Sequence, residues 1–267
     1  MSNIRSFFVA FLAAAGTLLP AQTPMQTQPN PPAFDVASVK QNKSVGDGRS
    51  HIWSSSDNGN FKTQNVSMKG LLEFAYGMPQ AQIVGTLDKV SVATFDIDAK
   101  LDEESETRFE AQTIDLRRAQ KPKMVQALLA ERFHLTCHRE NREMVSYALL
   151  PAKDGPKLKP TQNDGLHSDN GYGRIRAQGA TVEQLARLIA QRLNEPVVDS
   201  SGISGRYDME INFTPPEGPM KLNGQPIPDP PPSIFTAIQE QLGLKLEKRK
   251  GPVEVLVVDH VEMPTEN

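Results

Sequence analysis

The feature that most constrains the fold is an internal repeat, because a chain that carries one pattern of elements twice is built from two similar units. Residues 59–85 align with residues 173–199 without a gap, at a shift of 114 positions. In both segments a short strand is followed by a hydroxyl residue, an amphipathic helix and a pair of apolar residues. The identical pairs are Gly59 with Gly173, Gln64 with Gln178, Leu71 with Leu185 and Val84 with Val198. This pattern predicts a tandem duplication.

Each half carries two predicted helices with recognisable start signals. Ser67 and Thr181 have side chains that accept from the free N–H groups of a first helical turn, which predicts them as N-caps. The second helices are predicted to begin at Pro122 and Ser233, because proline suits the first helical position and serine suits a cap. Gly243 predicts the end of the last helix.

Alternation of apolar and polar residues predicts strands with one buried face. Residues 95–99 and 207–213 follow this pattern at matching positions of the two halves. Each half is then predicted to close with two strands joined by a hairpin turn. The turns are placed at residues 140–142 and 250–252, which are rich in polar residues, glycine and proline.

These elements together predict an α+β fold, a tandem of two small units that each pack two helices on one face of a mainly antiparallel sheet. The halves look similar to the short N-terminal domains of secretins and TonB-dependent receptors, a likeness of fold alone.

Each half carries an insertion. The first insertion is the charged segment 101–121, and the second is residues 214–232, which contain eight prolines. The predicted organisation is a signal peptide over residues 1–21, a disordered linker over 22–32, a first repeat over 33–155 and a second repeat over 156–267.

The N-terminus predicts export. Arg5 supplies a positive start, and residues 7–19 form an apolar run that is short for a membrane span and is followed by a polar stretch. Cleavage is expected after Ala21, with Ala15 as the alternative. A retained N-terminal anchor is the other interpretation of this segment. With cleavage we expect a soluble mature chain in the periplasm or outside the cell, not spanning the membrane.

The chain has a single cysteine, which excludes an intramolecular disulfide. On an extended strand Phe133, Leu135 and Cys137 share one face, so we expect Cys137 to be a buried, inert thiol. A reactive nucleophile is the alternative.

Charge argues against a nucleic-acid partner. The chain has 29 Lys+Arg and 32 Asp+Glu, a net charge of -3, and therefore lacks the basic surface that binds phosphates.

Eight segments carry a resemblance to a known family, namely residues 34–40, 71–76, 128–133, 138–143, 196–199, 202–208, 235–247 and 251–261. They resemble the soil-associated bacterial protein family of unknown function. The resemblance runs from about residue 33 to the C-terminus and implies an exported protein with no established activity. In that family the domain also occurs as an extracytoplasmic part of sensor-type membrane metallopeptidases, but this chain contains no H-E-x-x-H motif.

Candidate metal and nucleophile sites are weak. His134 and His138 share a face of the predicted strand and point towards a metal site with Glu140, but two strand steps separate the imidazoles by about 13 Å, too far for one ion. Ser204 stands in a sequence one residue short of a G-x-S-x-G elbow and is interpreted as a turn residue. The glycine-rich residues 46–49 are a poor phosphate cradle, since no helix start follows them.

The remaining histidines, His51, His167 and His260 beside Asp259, are expected to be solvated or held in turns. Four carboxylates on the polar faces of matching strands predict an ordinary wet sheet surface. If the halves pack about a pseudo-twofold axis, these groups would instead converge to bind a cation or act as acid and base. They are Asp96, Asp98, Asp208 and Glu210.

No catalytic, cofactor-binding or metal-binding residue is therefore assigned, and no cofactor is expected. The sequence favours an exported, non-catalytic binding module with a protein or cell-envelope partner. The eight prolines keep residues 214–232 extended, so this segment is either a spacer between a strand and a helix or part of the surface that binds the partner. The alternative is an extracytoplasmic hydrolase that uses carboxylates or His138 in the groove between the halves. A polar groove with a perturbed carboxylate would favour the hydrolase, and an apolar groove would favour the module.

Overall fold

The structure is a computed structural model. The predicted signal peptide and linker, and the segment 46–49, lie outside the part that it describes, as does some of the insertion 214–232. The described residues are 33–43, 50–54, 58–162, 167–215, 218, 221–222, 225–226 and 229–264.

The described residues form five α-helices, one short 3₁₀ helix and fourteen strands, which makes the fold α+β as expected from the sequence. The helices are α1 (Met68–Tyr76), α2 (Glu103–Glu110), α3 (Ile114–Phe133), α4 (Val182–Leu193) and α5 (Ile234–Leu242), with the 3₁₀ helix at Gln80–Gln82. The strands are β1 (Val36–Gln41), β2 (His51–Trp53), β3 (Phe61–Ser67), β4 (Ile83–Gly85), β5 (Thr94–Lys100), β6 (Thr136–Pro151), β7 (Lys159–Pro160), β8 (His167–Gly171), β9 (Arg174–Ala180), β10 (Val197–Asp199), β11 (Tyr207–Asn212), β12 (Lys221–Leu222), β13 (Gln225–Pro226) and β14 (Leu244–His260).

Two antiparallel sheets have the same strand order. The first runs β1-β5-β3-β2 and the second β7-β11-β9-β8, so corresponding strands of the predicted repeats occupy corresponding places. In each sheet the strand that precedes the first helix of its half, β3 or β9, lies next to the second strand after that helix, β5 or β11. This arrangement agrees with a duplicated unit, and the duplication itself stays a prediction.

A third sheet, β10-β6-β14-β4, combines two strands from each half of the chain. Strands β6 and β14 pair antiparallel from Pro151 opposite Leu244 to Thr136 opposite His260. The predicted hairpin turns at residues 140–142 and 250–252 are therefore wrong, because both segments are extended and hydrogen-bonded to the other half. Their polar side chains suit a mostly exposed ribbon as well as they suit a turn.

Each of the short strands β4 and β10 pairs with a long strand from the other half of the chain. Strand β10 pairs in parallel with β6, and β4 pairs in parallel with β14. The first apolar core consequently contains Leu256 and Val258 from β14 together with residues of α1 and α3. The second core contains Leu149 from β6 together with residues of α4 and α5. Each core thus includes a strand end from the other half.

Two of the predicted helix starts are confirmed by hydrogen bonds at the N-cap, and one is wrong. Ser67 Oγ accepts a hydrogen bond from the Gly70 N–H at 3.2 Å, and Thr181 forms a reciprocal capping box with Gln184, so both predicted N-caps are confirmed. The predicted start of α3 at Pro122 is wrong. The helix begins after Thr113, whose hydroxyl caps it, and Pro122 lies inside.

The charged insertion 101–121 is therefore largely helical, forming α2 and the first part of α3. Helix α3 ends at Phe133, and His134 adopts a left-handed conformation with a φ of 47°. Phe133 thus packs from a helix, not from a strand shared with Cys137. None of the described helices has the length and hydrophobicity that crossing a bilayer requires.

Candidate functional site

A groove of about 420 Å³ lies between elements of the two halves. One wall comes from β2, the end of β3, α1 and the 3₁₀ helix, and the other from β8 and the last turn of α4. Its size falls in the range of about 300–1,000 Å³ that is usual for ligand sites. The lining residues are Ser50, Ile52, Val66, Ser67, Gly70, Glu73, Phe74, Gln80, Asn170, Gln191 and Arg192.

Local structure places these side chains together. Ser67, Gly70, Glu73 and Phe74 follow helical spacings of three and four residues and so share one face of α1. Ile52 lies in the middle of β2, and Ser50 immediately precedes this strand.

The carboxyl group in the groove is that of Glu73. Burial removes water from this group and raises its pKa, while a hydrogen bond from Gln80 Nε2 to Glu73 Oε2, at 3.0 Å, acts in the opposite direction. Glu73 therefore holds a proton more readily than an exposed glutamate does.

On the opposite wall, Arg192 is fixed by the backbone of β8. Its Nη2 donates to the carbonyl oxygens of Asn170 and Gly171, at 2.9 Å each, and to Asn170 Oδ1 at 3.0 Å. Its Nε is buried and has no hydrogen-bond partner in the structure. A buried donor without a partner is costly, so this atom marks where an acceptor from a ligand or a water would be favourable.

The carboxylates predicted from alternation lie on the two antiparallel sheets. Asp96 and Asp98 line a shallow depression on the first sheet, and Asp208 and Glu210 line one on the second. Neither of these two depressions combines carboxylates from both strands. The alternative of a shared cation or acid-base site consequently gains no support from the geometry.

Asp96 and Asp208 instead have matching structural contacts. Asp96 accepts a hydrogen bond from the Asn65 N–H at 2.8 Å, and Asp208 accepts one from the Gly179 N–H at 2.9 Å. Asn65 and Gly179 have φ values of 56° and 63° and lie at irregularities of β3 and β9. Each carboxylate thus holds a bulge just before Ser67 or Thr181, the caps of the next helix.

The other two carboxylates, Asp98 and Glu210, each lie near a basic side chain. Asp98 lies 3.9 Å from Lys100 Nζ, and Glu210 lies 3.7 Å from Arg176 Nε, with each side chain about half exposed. Such pairs are typical of a wet sheet face and contribute little to stability.

Three histidines lie at the end of the β6·β14 ribbon, outside the groove. His138 contacts Asp259 at 2.9 Å and Glu140 at 3.6 Å, and these carboxylates raise its pKa, mainly because the imidazole donates a hydrogen bond to Asp259. His134 and His260 both contact Glu262, at 3.2 and 3.0 Å. Within the described residues no cluster of potential ligands could hold a metal ion.

The other candidates have ordinary surroundings. The His51 ring stacks on Trp53 with 5.2 Å between ring centroids, and His167 lies near Arg118. The Ser204 carbonyl accepts from the Tyr207 hydroxyl at 2.8 Å, as suits a turn.

Cys137 is half-buried, where full burial was expected. Its Sγ lies 3.1 Å from the Tyr76 hydroxyl oxygen. Burial is the main cause of a raised pKa of Tyr76, and the hydrogen bond between these two groups acts in the same direction. Phe133 and Leu135 are buried in the first core, and Cys137 packs against that core from its edge.

Sequence reasoning expected a groove between the halves but missed the residues that line it. A carboxylate at Glu73 within the apolar run 71–75 is the one local signal that pointed to it. Asn170, Gln191 and Arg192 carry no comparable signal, since polar residues at the end of a helix or on an edge strand are common.

Comparison with known proteins identifies the domain without giving its activity. A family profile described as "Protein of unknown function (DUF3738)" matches residues 69–261, more than half of the chain. No curated protein matches the chain, and no solved structure matches it.

Proposed function

The chain belongs to the DUF3738 family, a family of unknown function, and on that premise we propose that it is an exported, soluble binding module. Its ligand, a protein or another component of the cell envelope, binds in the groove between α1 and α4. The soil association and the metallopeptidase context that the sequence resemblance implies belong to this proposal, as expectations.

The observation that carries the proposal is the pair of polar side chains, Arg192 and Glu73, that line the groove from different halves of the chain. Arg192 Nε is a buried donor without a partner, and Glu73 is a carboxyl group with a raised pKa. A ligand that offers an acceptor to one wall and a donor to the other would satisfy both groups, and apolar contacts with Ile52 and Phe74 would add to its affinity.

Hydrolysis is the second candidate, because the groove is polar and contains a perturbed carboxyl group. Carboxylate-based hydrolysis needs an acid and a second group that acts as base or nucleophile. Among the described lining residues Glu73 is the single carboxyl group, and the Ser67 hydroxyl caps α1 by accepting from Gly70 N. Binding therefore agrees better with the lining residues than catalysis does.

A photo-crosslinking residue at Gln191 tests the binding proposal in the native cells. Gln191 is exposed and lines the groove, and a matched probe at the exposed Lys123 on α3 serves as control. We expect adducts that form from position 191 and not from position 123, identified by mass spectrometry. Adducts in equal yield from both positions, or from neither, would show that the groove binds nothing specific.

The variant Glu73→Gln separates binding from hydrolysis. It keeps the shape of the side chain and removes the acid, so a binding module retains crosslinked ligand in similar yield. If the ligand recovered from wild-type protein is cleaved and that from Glu73→Gln is intact, the hydrolase is correct and the binding proposal is wrong.

Export has its own test. The basic Arg5 and the apolar residues 7–19 support cleavage near Ala21. We expect N-terminal sequencing of protein from the extracytoplasmic fraction to begin near residue 22. A chain that begins at Met1 in that fraction would contradict cleavage.

A further inference from the structure

We infer that the ligand of the groove is an extended peptide segment that adds to the free edge of β2 as a further strand. The inference rests on the proposed function and names its ligand class. A peptide that binds in this way should carry an apolar side chain at every second position, because strand side chains alternate between two faces.

One edge of strand β2 is not paired with any described strand. Strand β2 ends the order β1-β5-β3-β2 and pairs with β3 alone among the described strands. Its other edge therefore has backbone N–H and C=O groups that no described strand uses, and such an edge is a template for another strand.

The side chains of β2 do not protect this edge. Proteins usually guard edge strands with charges, prolines or very short lengths. The other outer edges of the two antiparallel sheets follow this rule: β1 carries Lys40, β7 consists of Lys159–Pro160 alone, and β8 carries Asp169. Strand β2, His51-Ile52-Trp53, is also short, but it contains no lysine, acidic residue or proline, and Ile52 is 37% and Trp53 47% exposed.

The groove beside β2 has the chemistry that a peptide requires. Ile52, Val66 and Phe74 line it and can contact an apolar side chain. A peptide group presents a carbonyl acceptor and an N–H donor, which match the unpaired Arg192 Nε and the Glu73 carboxyl group on opposite walls.

A saccharide fits these features less well. Its hydroxyl groups could satisfy Arg192 and Glu73, but a saccharide cannot form the regular ladder of hydrogen bonds that an edge strand offers. The unprotected edge of β2 therefore favours the peptide.

The test uses the full chain and a library of synthetic heptapeptides with capped ends and apolar residues at alternate positions. Binding is measured by fluorescence anisotropy, and each binder is compared with the same peptide methylated at alternate backbone nitrogens. Methylation removes ladder donors and leaves the side chains, so we expect the affinity to fall about tenfold or more. Equal affinity of the two forms would overturn strand addition.

A pair of variants locates the site. Ile52→Lys places a charge on the β2 edge, and Val36→Lys places the same charge on β1, the opposite edge of the same sheet, where Val36 is 67% exposed. We expect peptide affinity to fall about tenfold or more in Ile52→Lys and to stay unchanged in Val36→Lys. Circular dichroism checks that both variants fold. Equal losses in both would show that the peptide binds elsewhere.

A panel of cell-envelope oligosaccharides distinguishes failure of this inference from failure of the proposed function. If no peptide binds, but an oligosaccharide binds wild-type protein and not Ile52→Lys, the groove is a binding site and the peptide assignment is wrong. If neither class binds and the probe at Gln191 yields no adducts, both the peptide assignment and the binding module are wrong.

Discussion

The variant Lys121→Met tests whether a buried lysine holds the charged helices on the first sheet. Lys121 is 3% exposed, and its Nζ donates to the carbonyl oxygens of Asn58 and Asn60 at 2.8 Å each. The same Nζ lies 5.1 Å from the centre of the Phe109 ring. Methionine keeps most of the apolar stem and removes these polar contacts.

The size of the effect follows from the contacts. A hydrogen bond from a charged donor contributes about 1.5–3 kcal/mol, and here two are lost. Water can hydrogen-bond to the carbonyl groups of the partly exposed Asn58 and Asn60 and so reduces this loss. Removal of a buried charge also favours the folded state of the variant. We expect the free energy of unfolding to fall by about 2–4 kcal/mol. The control Lys123→Met, at an exposed site on the same helix, should change it by less than about 0.5 kcal/mol.

The pH dependence gives a second measure of the same residue. Burial lowers the pKa of Lys121 to about 8, and the charge of Glu106 acts against this shift. An unfolded lysine titrates near about 10.4, so between these two values the unfolded chain binds more protons than the folded one. Stability from this group therefore rises with pH across that window, and Lys121→Met should lack the rise.

Urea unfolding followed by circular dichroism, from pH 7 to pH 10, measures both effects. The reasoning would be refuted by equal unfolding midpoints for Lys121→Met and Lys123→Met at pH 7. It would also be refuted if Lys121→Met kept the same rise with pH as Lys123→Met.

Three further predictions concern stability and reactivity. Gly243→Ala should destabilise the protein by several kcal/mol more than Gly77→Ala in thermal unfolding. Both residues have a φ near 65°, but a Cβ at Gly243 would lie 2.1 Å from a backbone oxygen, while one at Gly77 meets nothing within 4 Å. Equal losses of stability would contradict the steric argument. Asp208→Ala should lower the free energy of unfolding, measured by chemical denaturation, by about 1–3 kcal/mol, because it leaves the N–H of the bulge at Gly179 without its acceptor. Glu210→Ala, at an exposed residue of the same strand, should lower it by about 0.5 kcal/mol or less. The reverse order would show that the bulge contact is unimportant. Thiol reagents should label Cys137 slowly in the native protein and fast in urea, because the thiol is half-buried and hydrogen-bonded; rapid native labelling would count against a structural thiol.

The candidate site depended on tertiary structure far more than the fold class did. Alternation along residues 95–99 and 207–213 predicted the buried strand faces, and Phe95, Ile97, Met209 and Ile211 are indeed buried. The groove joins Glu73 on α1 to Arg192 on α4, two residues that lie more than a hundred positions apart. No local pattern connects residues at such a separation, and Arg192 looks like any cation near a helix C-terminus.

The sequence by itself determined the elements whose stabilising contacts lie within a few residues. Ser67 and Thr181 cap their helices, and Gly243 ends α5 with a left-handed φ of 63°, because in each case the partner groups belong to the same turn.

The tertiary structure alone decided which strands pair and where the groove forms. Residues 140–142 and 250–252 satisfy their backbone hydrogen bonds either in two local hairpins or in one long ribbon, and the local residues are compatible with both. The ribbon places strand ends of β6 and β14 in the apolar core of the opposite half. Burial of Leu149, Leu256 and Val258 in those cores is a long-range gain that no segment shows when it is considered by itself.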